Sequence, residues 1–441
     1  MNEVVKYYTN IIACLFLLAS CKPYSEGPQG GQGSADFSRY IAVGNSLTAG
    51  YSNGGLYLES QQSAYPAIIA RQMAKVGGGA FTQPLFGAGQ ENGSGYLKLT
   101  GFTATGMPVI ANVADKLAVR GKVAIPGLGN VTLYTKYSGD INNYGVPGIK
   151  LANIDDAAYG NLNGYFERLL PGDAGANTTK YIDFVTAKTF TFFNNWLGNN
   201  DALGYATAGG ASDALTDKAQ FGALYNLVIN KLTATGQKGV VATIPDVTAA
   251  PYFTTLSTTA ILAGAKAANP AVTALYVNAR KAADITNTTY SPRTAGATDL
   301  ILLTFDTQKI GQPVNTTAGM QPYGLSPYAP IENQYVLDAN EVILVKEHIN
   351  AYNATIKAVA EAKGLALFDA YTFLNSLKAG LTIDGVNVNS DFITGGIFSL
   401  DGIHLTPRGY AVVANEFIKA INSKYGSGIP KVNVAEYDGV K

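Results

Sequence analysis

Two rhythms of apolar residues run along this chain. A short apolar run at residues 37–43 predicts a buried strand, and an aromatic-rich stretch at 188–197 and apolar runs at 238–244 and 365–368 predict further strands. Helical patterns occupy residues 63–76, 213–234, 341–363 and 407–423, with Pro66 suited to a first turn. A further helix is expected to begin near Lys150. Strands and helices alternate through this framework, so the pattern predicts an α/β fold around a mainly parallel sheet. In such sheets, sites form at the carboxyl ends of strands. Ser46 and residues 198–201 each fall where a predicted strand ends.

Two stretches depart from the alternation. Residues 80–140 are rich in Gly, Thr and Val with alternating patches at 121–126 and 131–136, which predicts hairpins or an irregular β insertion. Residues 254–335 mix helix, strand and loop without a clear period. Both stretches are expected to build a substrate cleft. The remaining body, residues 37–441, reads as one domain carrying these insertions, and it has no internal repeat.

The N-terminus reads as a targeting segment over residues 1–20. Its apolar run, residues 11–18, is shorter than the roughly 20 residues that span a bilayer. It ends in Leu18-Ala19-Ser20-Cys21, which resembles a bacterial lipobox, with cleavage before Cys21 and lipidation of its thiol. The only other cysteine, Cys14, would be removed, so no disulfide is expected despite an exported setting. Residues 21–36, rich in Gly, Ser, Pro and Gln, read as a flexible tether. These features together place the protein at the cell envelope, with the outer membrane the expected site.

Composition narrows the partners. Formal net charge is zero, charged residues make up 14%, and there is no basic run. Nucleic-acid binding therefore has little support. Membrane association would come from the lipid on Cys21 rather than from electrostatics. Hydrophobic content of 47% is ample for a large core.

Candidate chemistry sits at the two ends of the framework. A serine hydroxyl needs a base within hydrogen-bond reach, and that base needs an orienting partner. Ser46 follows an apolar strand, and Asp401 stands three residues before His404. That i,i+3 spacing can set both side chains on one face. The chain has two histidines. The other, His348, falls at the margin of a helix face made by residues 342, 345, 349, 352 and 356, and reads as a boundary residue. A rival nucleophile, Ser52, sits in Gly50-Tyr-Ser52-Asn-Gly54, but lacks the preceding strand and following helix that a nucleophile elbow requires.

Four short blocks in order resemble the SGNH hydrolases, also called the GDSL family of esterases and lipases. They are Gly44-Asn45-Ser46-Leu47, the glycine block at 143–148, Gly198-Asn199-Asn200-Asp201, and Asp401-Gly-Ile-His404. The resemblance implies a three-layer α/β/α sandwich of flavodoxin-like type. It implies Ser46 as nucleophile, His404 as base and Asp401 as the group that orients it. The oxyanion hole would use the backbone N–H of Ser46, the backbone N–H of Gly148 and the side chain of Asn200. Gly145 and Asn199 are the neighbouring rivals for the last two roles, and Asp201 is expected to structure its loop. Asn45 replaces the aspartate usual in the first block, which leaves the local electrostatics open.

The implied activity is hydrolysis of carboxylic esters with no metal or organic cofactor. It should fall as pH drops below the ordinary imidazole range. The 27 tyrosines lean towards short acyl esters, such as acetyl groups, on glycans. A lipase acting on longer acyl chains is the alternative enzyme. A glycan-binding lipoprotein that has lost turnover is the alternative from another class.

Overall fold

In the computed structural model, residues 31–104, 106, 108–125, 129–282 and 284–441 are described. The targeting segment and Cys21 lie outside them. Five parallel strands form the central sheet: β1 (Tyr40–Gly44), β2 (Asn143–Gly145), β3 (Phe192–Trp196), β4 (Lys238–Ala242) and β5 (Ala366–Phe368). Their spatial order is β5-β4-β3-β1-β2. Ala42 of β1 pairs with Asn143 on one side and Asn194 on the other. β1 and β3 are buried along their whole length, as expected for a parallel sheet covered on both faces.

The helices that position the site are α1 (Ser46–Ala49), α2 (Tyr65–Ala74), α3 (Asn200–Thr207), α4 (Lys218–Leu232), α5 (Ala339–Ala362) and α6 (Pro407–Tyr425). On one face α2 meets α6: Tyr65 stacks on Phe417 at 4.9 Å, and Trp196 of β3 lies edge-on to both at 5.6 Å. α4 meets α5 through Phe221 stacked on Tyr352 at 3.9 Å. Such aromatic pairs add roughly 0.5–1.5 kcal/mol each beyond burial. The start of α5 is fixed by a capping box, in which Asp338 accepts from Glu341 N at 2.9 Å and Glu341 accepts from Asp338 N at 2.8 Å.

Three expectations need revision. No α-helix begins at Lys150; the segment makes one 3-10 turn, Leu151–Asn153. The side chain of Asp201 takes up the N–H groups of Leu151 and Ala152, and Asn153 caps back to Lys150 N. These bonds cap the first N–H groups of the turn, and the turn goes no further than Asn153. Residues 143–145, read only as a glycine block, form the edge strand β2. Part of the expected tether, residues 31–36, is bound to the body instead: Ser34 N donates to Tyr425 O at 2.8 Å, Gly428 N donates to Gly31 O at 2.9 Å, and Ala35 is buried.

The two insertions differ in kind. The first holds two antiparallel hairpins, Tyr96–Phe102 with Pro108–Val113 and Val119–Ile125 with Gly129–Tyr134. The second carries the helix Thr258–Ala268, the hairpins Tyr276–Arg280 with Tyr290–Thr294 and Pro313–Thr316 with Gly319–Pro322, and a small apolar core including Leu275, Val277, Phe305 and Ile331. Buried Arg280 ties it to α5, lying 3.3 Å from Asp338 and 3.7 Å from Glu341.

Candidate active site

Ser46 is the first residue of α1, directly after β1. Asn45 caps this turn, its side-chain oxygen accepting from Leu47 N at 3.1 Å. Asparagine caps as well as aspartate does, so the departure at this position keeps the local geometry. Its Nδ2 is left buried without a hydrogen-bond partner. α1 rests against β2 because Gly145 lets it: a Cβ there would stand 2.3 Å from Ala49 N. Gly145 is thus a packing residue within the strand.

His404 approaches from the other end of the chain, two residues before Thr406, whose side chain caps α6. His404 Nε2 lies 2.8 Å from Ser46 Oγ, and His404 Nδ1 lies 2.9 Å from Asp401 Oδ2. Asp401 is held from all sides. Its Oδ2 accepts from Gly54 N at 2.7 Å, and its Oδ1 accepts from Ile403 N at 2.9 Å, His404 N at 2.8 Å and Ser399 Oγ at 3.1 Å. Burial alone would raise the Asp401 pKa. The nearby His404 charge, its hydrogen bond and the backbone N–H groups outweigh burial and hold the carboxyl well below the usual range.

Several residues in this arrangement gave no signal in the sequence. The Tyr51 ring covers His404 with ring centroids 4.6 Å apart, and Tyr410 Oη of α6 donates to Tyr51 O at 2.5 Å. Asn53 clamps the Asp401 segment from both directions: its N–H donates to Ser399 Oγ at 2.9 Å and its Oδ1 accepts from Leu400 N at 3.0 Å. Ser52 is buried and donates to Leu405 O at 2.9 Å. The Gly50–Gly54 stretch is therefore a turn that seats the His404 loop. The Asn-Gly pair alone marks a turn in the sequence; its partner across 347 positions does not show there.

Asn200 opens α3 after β3 and donates one N–H to Ile149 O at 2.9 Å. Asp201 beside it is buried and accepts from Leu151 N at 2.6 Å, Ala152 N at 3.2 Å and Thr216 Oγ1 at 2.7 Å. Burial pushes the Asp201 pKa up to about 6 against these hydrogen bonds. Asp201 and Asn200 together pin the loop that carries Gly148. Gly148 itself is exposed in the left-handed region at φ 84°. Asn199 is buried, with neither amide atom in a hydrogen bond. His348 is half-buried on α5 with Nδ1 2.8 Å from Leu344 O, in its own helix, as expected of a boundary residue.

Ser46 and His404 open into a cavity of about 680 Å3, solvent at its mouth included. Asn45, Asn199 and Asn200 also line it, whereas Gly148 does not. Its walls are mostly apolar, with Leu203, Val247 and Leu374 from separate segments and Phe398 and Leu405 bridged to each other in the His404 segment. The carboxylate of Asp246, also in the wall, is engaged by Thr248, whose N–H and hydroxyl donate to it at 3.1 and 2.6 Å. Among the described residues, no group of three His, Cys, Asp or Glu is placed to hold a metal ion, and no helix is long and apolar enough to cross a membrane.

A parallel α/β sheet with serine, imidazole and carboxylate hydrogen-bonded in series at its strand ends has the arrangement of a serine hydrolase. The sequence pattern of the GDSL-like lipase/acylhydrolase family matches residues 40–417, and the chain belongs to that family. It is accordingly an ester hydrolase. Among solved structures, the chain is similar to LAE5, an alpha/beta hydrolase enzyme from the metagenome of Lake Arreo, Spain. Identity there is 12%, coverage 88% of this chain and 96% of that one, and the TM-score 0.36. It is also similar to an extracellular lipase from Streptomyces rimosus, at 11% identity, 87% and 98% coverage and a TM-score of 0.33. At these scores the likenesses carry no functional argument. No curated protein matches the chain.

Proposed function

We propose that Ser46 is the nucleophile of this ester hydrolase, His404 its base and Asp401 the carboxylate that orients the base. The observation that carries the reading is the unbroken series from Ser46 Oγ to His404 Nε2 at 2.8 Å and from His404 Nδ1 to Asp401 Oδ2 at 2.9 Å. Ser46 Oγ attacks the ester carbonyl as its proton passes to His404 Nε2. His404 returns that proton to the alcohol oxygen as the C–O bond breaks. Water, deprotonated by His404, then attacks the acyl-serine, and the acid leaves with Ser46 restored. The backbone N–H groups of Ser46 and Gly148 and the second amide N–H of Asn200 are the proposed oxyanion donors, each lowering the barrier by on the order of 2.7–4 kcal/mol.

The apolar cavity beside Ser46 supports an acyl chain longer than acetyl, because its walls offer area to bury and little to hydrogen-bond. This favours the lipase-like reading over the short-acyl one that tyrosine content suggested. Lipid attachment at Cys21 and an envelope location belong to the same proposal. They rest on residues 18–21, and the mass of the mature N-terminal peptide tests them.

The enzyme test is a series of p-nitrophenyl esters from acetate to decanoate, run on the form starting after Cys21 and on its Ser46→Ala variant. Turnover should fall at least about 1,000-fold in the variant, and kcat/KM should rise from acetate towards the medium-chain esters. Full turnover by Ser46→Ala would overturn the mechanism. A maximum at acetate would overturn the chain-length reading and leave Ser46 in place.

A further inference from the structure

We infer that the alcohol half of the ester is a carbohydrate, held in an open groove that continues from the acyl cavity. The inference rests on Ser46 being the esterolytic centre. The two spaces adjoin at Ala249, which lines both. Along the stretch around it, Val247 and Ala250 face the cavity while Thr254 and Thr255 face the groove. Residues 390–394 also line the groove, a few positions before Phe398 of the cavity and the Asp401–His404 segment. The first insertion contributes Phe102, at the end of its Tyr96–Phe102 strand, and Pro108. On the proposal, a leaving group extending from Ser46 past Ala249 enters this groove.

Its chemistry differs from that of the cavity. Two phenyl rings, Phe102 and Phe392, stand among the hydroxyls of Thr254 and Thr255, the ammonium of Lys378 and the carboxylate of Asp391. Phe102 is 56% exposed. A sugar ring matches both kinds of group: its C–H faces pack on aromatic faces, and its hydroxyls pair with donors and acceptors. The Thr254 and Thr255 hydroxyls donate to Ala250 O at 3.3 Å and Pro251 O at 2.7 Å, so towards the groove they act as acceptors, and a plain aliphatic alcohol would have no hydroxyls to offer them. A phosphate headgroup would find one cation offset by a carboxylate.

The Phe392 wall is built rigid. Ile393 takes φ 66°, a region that β-branched residues avoid. The turn holds it there through Asn389 N to Gly395 O at 3.0 Å, Gly395 N to Asp391 O at 3.0 Å and Asn389 Nδ2 to Asp391 Oδ2 at 2.8 Å. Backbone strain persists where surrounding contacts over-determine it, and it concentrates at ligand clamps. A wall fixed before binding also lowers the ordering cost of complex formation.

The test compares 6-O-butanoylglucose with ethyl butanoate, which share an acyl group and differ in the alcohol. The wild type should prefer the sugar ester by about tenfold or more in kcat/KM. In Phe102→Ala and in Lys378→Ala, both exposed positions, that preference ratio should fall about tenfold. Equal rates on the two esters in the wild type, or a ratio unmoved by both variants, would overturn the inference while leaving the esterase intact. Hydrolysis of neither ester, nor of p-nitrophenyl butanoate, would instead defeat the esterase reading, and this one with it.

Discussion

At the scale of single residues, Asp401 is the most constrained group in the site. It receives three backbone N–H groups and the Ser399 hydroxyl besides facing His404 Nδ1. Asp401→Asn keeps the size but places an amide NH2 where only acceptors fit. Either His404 loses its oriented tautomer or a backbone donor loses its partner. We expect kcat to fall by roughly 10⁴-fold, the magnitude known for the same swap in a serine-protease triad, with KM changed little and the circular dichroism spectrum kept. Steady-state kinetics on the ester series checks this. The meeting of Ser46, Asp401 and His404 was legible because the chemistry proposed for them depends on residue type and short spacing. Tyr51, Asn53 and Ser399 were not, because their roles exist only once the turn at 50–54 docks on the loop at 399–405.

At the scale of elements, Asp201 joins the loop after β2 to the start of α3. Its carboxyl pKa is raised by burial to about 6, above the ordinary aspartate value. The folded state therefore holds this proton more tightly than the unfolded one. Its contribution is complete below about pH 4 and is lost as pH rises through about 6. Wild type should accordingly lose thermal stability relative to Asp201→Asn between those limits, as read by the difference in their melting midpoints across pH. A difference that stays flat would remove the buried, proton-holding role. The framework elements were readable to within a few residues, since buried strands and amphipathic helices carry their own periods. β2 was missed because three residues at a sheet edge carry no period. The turn at Leu151–Asn153 was misread as a longer helix, and the carboxylate that caps its start belongs to Asp201, far along the chain.

At the scale of the whole molecule, the segment just before β1 is part of the body. Gln32, Ser34 and Ala35 reach both Phe37 and the end of α6. A form starting at residue 37 should therefore be less stable than one starting at residue 22, by about 1–3 kcal/mol for the hydrogen bonds lost. Thermal unfolding of the two forms measures it, and equal midpoints would return residues 31–36 to the tether. Composition misled here, because Gly, Ser and Gln segments dock through backbone groups, which composition does not reveal. Of the second insertion, the described residues give only Thr254 and Thr255 to the groove. Its remainder surrounds a core of its own, and neither insertion is among the residues lining the cavity at Ser46.

Ser46 and His404 meet across 358 positions of sequence. Ribosomes build a chain from its N-terminus, so the proposed nucleophile is made early and its proposed base almost last. On that proposal, a nascent or C-terminally clipped chain carries a serine hydroxyl with no imidazole to take its proton, and is expected to be chemically silent. Ester turnover during refolding thus acts as a clock for closure of the two chain ends, set by the slowest step that brings α6 home.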